Sequence, residues 1–295
     1  MYVCLFGGLG NQMFQFAVGK IIASKNNNSI IIDDGYYYSQ PSKDTPQKLE
    51  IDQFKIGFER FSSEKEKKYL KKIRILNKIK GVRKLNNLIS PVTGSCKIYS
   101  DDDFSINKKI QNNSILLGYF QSSQYLINNR DLLLEEFTLS DKVLNVIKST
   151  EAYEFISGNS NLTAVHIRRG DYISNVAANR HHGVCSIEYY ESAMNKINLT
   201  QNSNRFVFFS DDIDWVKEHF QHIDGAYFVD NKSTSFSVTD IYLMSLCDNN
   251  IIANSSFSWW GAWLNKNKNK IVIYPNKWTT NSSIGALFVD GWIGL

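Results

Sequence analysis

Long apolar runs are missing from this 295-residue chain, and none approaches the roughly 18 consecutive residues that a membrane-spanning helix needs. Nor is there a basic stretch leading into an apolar one at the start, so no secretory signal is expected. The four cysteines, Cys4, Cys96, Cys185 and Cys247, are scattered, with no CxxC pair and no Cys/His cluster at metal spacing. This argues against a disulfide framework or a zinc site and for reduced, mostly buried thiols. On that basis the Asn-X-Ser/Thr triplets at Asn112 and Asn161 carry no glycosylation meaning. Net charge is only +4, too little to imply a nucleic-acid partner. It is uneven, however. Between Arg60 and Lys84 eleven basic residues face Glu64 and Glu66, a local +9 that leaves about −5 for the rest.

What is present is ordinary in amount, 43% hydrophobic and 21% charged, enough for one large or two modest α/β domains. The stretch that organises the chain runs from Val165 to Tyr172. Leu162-Thr163-Ala164-Val165 is short, apolar and β-favouring, a buried strand, and Arg168 and Arg169 follow where it runs out. Gly170 then gives the backbone freedom to turn. Ligands of open α/β sheets sit beyond the carboxyl ends of the strands, and a planar guanidinium there suits a phosphate. Two arginines that simply pair with surface carboxylates are the other reading of the same residues.

The chain opens with a strand (Tyr2–Phe6), a glycine-rich turn and a helix from Met13 to Ala23. Such a unit brings backbone amides and a helix N-terminus towards a ligand. Gly7-Gly8-Leu9-Gly10-Asn11-Gln12 has neither dinucleotide-binding spacing nor a following Walker lysine. Asn11 and Gln12 suggest a polar contact there. Ser29–Asp33 reads as a second strand, and Tyr36 to Gln47 as a loop whose tyrosines could form a sugar platform or a packed lid. Phe61 to Leu88 has helical spacing with one lysine-covered face, either a solvated surface or one drawn to anionic lipid. A strand at Ile115–Ser122 and helices at Tyr125–Phe137 and Asp141–Ser157 complete the first half. Domains are thus expected over 1–157, with a Lys-rich helical insertion at about 60–90, and over 158–295.

The second half alternates strand and helix with the rhythm of a doubly wound parallel sheet. Its strands are Arg205–Ser210, Ala226–Val229, Asp248–Ala253 and Ile271–Pro275. Arg168/Arg169, Asp211/Asp212 and Ser255/Ser256 all fall at strand ends and should converge. The serines open a helix, where hydroxyls, amides and the dipole favour an anion, although simple capping explains them equally well. Asp101-x-Asp103 and Asp212-x-Asp214 have a metal-binding spacing but read better as caps, because no other hard oxygen ligands gather near them. Trp259 and Trp260 fit a core better than a sugar platform.

The pieces GGLGNQMFQFA (7–17), HIRRGDY (166–172), FSDD (209–212) and NSSFSWWGAWL (254–264), with the closing YPNKW and DGW, resemble the motifs of bacterial α-1,2-fucosyltransferases of glycosyltransferase family 11. They stand in that family's order along almost the whole chain. The resemblance implies a GT-B architecture, two Rossmann-like domains with the active site in the cleft between them. It also implies an inverting transfer of fucose from GDP-fucose to the 2-hydroxyl of a terminal galactose, with no cofactor and no metal. Matched residue by residue, Arg168 and Arg169 hold the diphosphate and stabilise charge on the departing GDP. His166 lies beside the guanine or its ribose, and Asp240 accepts from guanine. Ser255 and Ser256 match the phosphate-binding helix start, and Asn11 lies in the N-terminal loop facing the cleft. Beside these, Asn254 and Asp211 are donor-side candidates, the latter as a strand-end acceptor for a purine N–H or ribose hydroxyl, and Asn11, Gln12 and Tyr36 are acceptor-side candidates. Asp171 is the candidate base, or else only orients an arginine. Another GDP-sugar, or a non-catalytic glycan-binding role that would not need the arginine clamp, are the alternatives. The expected setting is a cytosolic enzyme of O-antigen, capsule or other surface-glycan synthesis. Its acceptor would be a galactose-terminated oligosaccharide or lipid-linked glycan, with no nucleic acid involved. Arg60–Lys84 would supply a peripheral contact with anionic membrane.

Overall fold

The structure, a computed structural model, describes residues 1–40, 45–60, 97–102, 104–106, 110–111, 114–170, 180, 183–201, 204–230 and 234–295. Asp171, Asp103, Cys96 and nearly all of the Lys-rich stretch, with its expected helix and membrane contact, lie outside these. The chain forms two compact units, Met1–Thr138 and Leu139–Leu295. The crossing comes earlier than the 157/158 boundary expected from the sequence, and the stretch 141–157, expected in the first half as one helix, belongs to the second unit.

The first unit is built on five parallel strands: β1 (Tyr2–Cys4), β2 (Ile31–Asp33), β3 (Glu59–Arg60), β4 (Lys97–Tyr99) and β5 (Ser114–Leu116). Their order is β3-β2-β1-β5-β4. From β1 the chain moves to one side through β2 and β3, then returns to the other, so the winding reverses between β1 and β5. Helix α1 (Leu9–Lys25) follows β1 and starts earlier than the apolar pattern indicated, directly after Gly8, its N-cap. It is apolar nearly all round, with Met13, Phe14, Phe16, Ala17, Val18 and Ile21 fully buried. A helix with no wet face has to sit inside a core. Gly19 lets it lie against β1, since a Cβ there would run into Val3.

Further along, the single helix expected at 125–137 is three short pieces, α2 (Ser123–Leu126), a 3-10 turn, and α3 (Arg130–Glu136). The helix expected over 141–157 is also divided, into α4 (Asp141–Lys148) and α5 (Glu151–Ser157). Thr150 breaks it by taking the N-cap of α5, its hydroxyl accepting from the Tyr153 N–H at 3.2 Å. Periodicity alone cannot see such a restart, because the apolar face continues through it.

The second unit carries a six-stranded parallel sheet in the order β13-β10-β9-β6-β7-β8. Its strands are β6 (Leu162–Ile167), β7 (Arg205–Ser210), β8 (Tyr227–Phe228), β9 (Asn249–Ile251), β10 (Val272–Tyr274) and β13 (Ile293–Gly294). A separate antiparallel pair, β11 (Lys277–Thr279) and β12 (Ser282–Ser283), lies between the last two. The helices are α6 (Ile187–Thr200), α7 (Ile213–Phe220), α8 (Val238–Leu246) and α9 (Ser256–Leu264). β6 is buried along its whole length, as a central parallel strand must be. Here the winding reverses between β6 and β9. Helices α8 and α9 pack so closely that a Cβ on Gly261 would stand 2.9 Å from Met244 Cε. Trp259 and Trp260 are fully buried in this layer, core residues as the sequence indicated, with Trp259 Nε1 donating to the Leu287 carbonyl at 2.9 Å.

Candidate active site

Strand β6 ends at Ile167, level with Ser210 at the end of β7. That register sets Arg168 and Arg169 opposite Asp211 and Asp212. Arg168 Nη1 lies 2.8 Å from Asp211 Oδ2, and Arg169 Nε donates to Asp212 Oδ2 at 3.1 Å. Asp211 also accepts from the Arg169 backbone N–H at 2.9 Å. Gly170 has a second duty beyond turning the chain, because any Cβ there would collide with the Asp211 carboxylate. Partly exposed ion pairs of this kind contribute about 0–1 kcal/mol each to stability, so their main effect is on orientation.

Orientation is reinforced by stacking. The Arg169 guanidinium carbon lies 3.6 Å from the centroid of the Trp215 ring, on α7. His219, one turn on, stacks on the same indole at 3.9 Å and 24°, with its Nδ1 2.9 Å from the Trp215 carbonyl oxygen. Two planar groups that near one ring cannot share a face, so the indole is sandwiched. The arginine side chain is thereby held in one place, 16% exposed. The ion-pair reading of the two arginines is thus realised: the carboxylates pair with the guanidinia, and in doing so aim them. A guanidinium carries five N–H donors, enough for a carboxylate and an anionic ligand at once. Nothing in the sequence pointed to Trp215, 46 positions from Arg169, as the arginine's stacking partner; a tryptophan one turn into the helix capped by Asp212 was the available signal.

The neighbouring strand brings the other half of the site. β6 pairs with β9 (Val165 opposite Ile251), so the residues after β9 run beside the arginine loop. Ser255 is the N-cap of α9, its Oγ accepting from the Phe257 N–H at 3.3 Å, and Ser256 is the first helical residue. The capping reading of Ser255 is thus realised, at a helix start beside two arginines. Asn254 is buried and acts as a tie: its Nδ2 donates to the carbonyls of Gly183 and Trp278, both at 3.3 Å, while Oδ1 faces Cys185 Sγ at 3.5 Å. Asp240 lies in the first turn of α8. Because α8 leads from parallel β8 back to parallel β9, its start belongs to the same carboxyl edge of the sheet.

His166 points into the core, with its ring 5.6 Å from that of Phe257 and no hydrogen-bond partner at Nδ1. Burial, and then the Arg168 charge, lowers its pKa to about 3. The unfolded chain takes up this proton below about pH 6.5, whereas the folded chain resists until about 3. Stability carried by neutral His166 is accordingly complete above pH 6.5 and is lost as pH falls through that window. His166→Leu should flatten this acid limb in melting curves taken from pH 7 to 4. An unchanged limb would show that the ring is not held neutral.

In the first unit, Gly7 takes φ +76, a conformation suited to glycine, and the loop folds over the start of α1. Gln12, expected on the acceptor side, is committed to the protein instead. It is fully buried; its Nε2 donates to the carbonyls of Gly7 (3.1 Å) and Lys48 (2.7 Å), and Oε1 accepts from the N–H groups of Glu50 (2.8 Å) and Ile51 (3.0 Å). That is the full capacity of a side-chain amide. Asn11 is part-exposed, with Oδ1 accepting from Gln121 Nε2 at 2.7 Å. Tyr36 sits edge-on to Phe6 at 6.2 Å and to Tyr37 at 5.3 Å.

The first aspartate of each acidic triplet has structural work. Asp212 caps α7, accepting from Trp215 N–H at 3.4 Å, and Asp101 accepts from the N–H groups of Tyr119 (2.9 Å) and Phe120 (2.6 Å). Among the described residues, no helix is long and apolar enough to cross a membrane.

Residues 2–295 match Glycosyl transferase family 11. The chain is 39% identical to the O-antigen biosynthesis glycosyltransferase WbnK of Escherichia coli, over all of both chains. It is 33% identical to an Escherichia coli alpha-1,2-colitosyltransferase, over 93% of this chain and 90% of that one. Among solved structures, the fucosyltransferase NodZ from Bradyrhizobium superposes with a TM-score of 0.54 at 12% identity, covering 88% of this chain and 90% of its own. The fold is of the GT-B type shared by such fucosyltransferases, each unit resting on a parallel sheet. Matched along its whole length and carrying two arginines and a capped helix start at one sheet edge, the chain belongs to glycosyl transferase family 11.

Proposed function

We propose that this glycosyltransferase moves L-fucose from GDP-fucose to the 2-hydroxyl of a terminal galactose, with inversion at the anomeric carbon and no metal, during O-antigen or related surface-glycan assembly. The observation that carries the reading is the aimed arginine pair beside the N-terminus of α9, where the winding of the second sheet reverses. That is where an open α/β sheet takes its ligand, and the groups present suit a diphosphate. Further support comes from relatives: NodZ has been studied in crystals soaked with GDP-fucose, and WbnK is named for O-antigen biosynthesis.

In this reading the acceptor oxygen attacks the fucose anomeric carbon from the face opposite the diphosphate. The bond from that carbon to the β-phosphate oxygen breaks, and its electron pair leaves with GDP. Negative charge grows on the phosphate as the sugar becomes oxocarbenium-like, so fixed cations beside the phosphate act where charge develops. Arg168 and Arg169 fill that role, already oriented by Asp211, Asp212 and Trp215. Ser255, Ser256 and the helix start complete the diphosphate cradle. Asp240 stands on the nucleoside side, and Asn11 and Tyr36 on the acceptor side. The acceptor proton passes to Asp171 or to solvent.

One other donor has specific support. The colitosyltransferase relative suggests GDP-colitose, whose sugar differs from fucose in lacking the 3-hydroxyl. The deciding experiment is GDP release from either donor, with and without lactose, in EDTA, with NMR of the product. Lactose-dependent release from GDP-fucose and a new α-1,2 linkage are expected. Preference for GDP-colitose would change the donor and leave the clamp intact, whereas no GDP binding at all would sink the reading.

A further inference from the structure

Between β10 and β13 the chain makes a detour that the six-stranded sheet does not need. It forms the antiparallel hairpin β11–β12, Lys277 opposite Ser283, as a small sheet of its own. A two-stranded hairpin standing alone is marginal in water, so this one has to be held by other contacts. Within it, Thr279 Oγ1 lies 2.7 Å from Ser282 Oγ and accepts from the Asn281 N–H at 3.3 Å. Trp278 is its buried residue. The remaining bonds lead away from the hairpin, and their destinations carry the inference.

The buried Asn254 amide donates to the Trp278 carbonyl of the hairpin and, from the same nitrogen, to the Gly183 carbonyl, each at 3.3 Å. Thr280 Oγ1 donates to the Arg180 carbonyl at 2.8 Å. Gly183, at φ +69, runs alongside, and a Cβ there would stand 3.4 Å from Thr280 Cγ2. Arg180 and Gly183 belong to the connection from β6 to α6, which opens with Arg168 and Arg169. Asp211 and Asp212 hold the opening of that connection, and the hairpin holds its return. Asn254 directly precedes Ser255, the N-cap of α9. Its side chain therefore fastens a segment 71 positions before it and another 24 after it to the helix start beside the arginines. Thr280 and Arg180 are both exposed, so the bond between them adds little to the stability of the whole unit, and its effect is local.

We propose that the β11–β12 hairpin braces the donor site, with Asn254 and Thr280 as positioning residues. By pinning Gly183 and Arg180 they keep the arginine connection and the α9 start in the arrangement that binds a nucleoside diphosphate. The proposal rests on the reading above that this crevice takes the donor's diphosphate. Asn254, a donor-side candidate by sequence, then acts through the chain it holds and not by touching the ligand. Affinity falls with the fraction of molecules that leave the binding arrangement, whereas turnover of molecules that have bound does not. A brace is therefore read in the donor KM and not in kcat.

The test is calorimetry with GDP on the full chain, beside initial rates with whichever of GDP-fucose and GDP-colitose turns over. Thr280→Val keeps the side-chain shape and removes its donor. It is expected to weaken GDP binding and raise the donor KM by about three- to tenfold, a range set by one hydrogen bond, with kcat and melting temperature close to wild type. Thr280→Ser keeps the hydroxyl and should bind GDP as wild type does. Asn254→Ala releases two carbonyls and should weaken binding further; because that position is buried, the exposed Thr280 decides the matter. GDP affinity of Thr280→Val equal to wild type overturns the proposal and leaves the donor reading intact. An equal loss in the valine and serine variants, or a kcat that falls along with affinity, overturns it too. Wild type that binds no GDP sinks the donor reading, and the hairpin's role with it.

Discussion

Arg169→Ala is expected to lower kcat/KM for the sugar nucleotide by about a thousandfold, while leaving the protein folded. The size follows from what is removed: a preoriented cation at the atom where charge develops typically supplies two to three orders of magnitude, about 10²–10³-fold. Folding should survive because the partners left behind have other contacts. Asp212 still caps α7 through the Trp215 N–H, and Asp211 still pairs with Arg168. Arg169→Lys should recover only part of the loss. A lysine restores the charge, but it cannot donate through Nε to Asp212 while lying flat on Trp215 as the guanidinium does. Initial rates over a range of donor concentrations, with melting curves as the control, decide it. Near-normal turnover by the alanine variant would remove Arg169 from the diphosphate.

The second large effect is on stability. Trp259→Ala should destabilise the protein by about 3–5 kcal/mol, the cost of emptying a large, fully buried aromatic site. The Leu287 carbonyl would lose its donor as well. Trp259 touches Trp260, Trp263 and Trp292, so the cavity would open among rings that cannot all shift to fill it. Against a typical total stability of about 5–15 kcal/mol, that is a large share. Trp259→Phe keeps most of the volume and loses mainly the hydrogen bond, so a loss nearer 1 kcal/mol is expected. Denaturant unfolding of the two variants beside wild type supplies the comparison. If both cost the same, the indole N–H and not the packing is what matters.

Much of the architecture was legible without coordinates. Strand β7 was placed at Arg205–Ser210 from its apolar run, and the central strand β6 ends just where the two arginines begin. Period-2 and buried-strand patterns are local properties, and so is the preference of Ser255 for an N-cap. Helix breaks were harder. Thr150 restarts a helix inside a continuous apolar pattern, and a single side-chain hydrogen bond leaves no trace in periodicity.

Side-chain duties divide along the same physical line. From the sequence alone it followed that Arg168 and Arg169 stand at a strand end, that Ser255 opens a helix and that the tryptophans after it are core, because each depends on residues within a few positions. Whether Arg169 lies against Trp215, whether Asp211 aims an arginine or faces a ligand, and whether Gln12 meets a substrate or ties down the chain at Lys48 to Ile51 depended on the three-dimensional arrangement. The hydrogen bond from Gln121 to Asn11 spans 110 positions. Partners so far apart are chosen by parallel strand order, which sets β1 beside β5 and β6 beside β9, and that order is fixed by the packing of whole helices against the sheet rather than by any local pattern of residues.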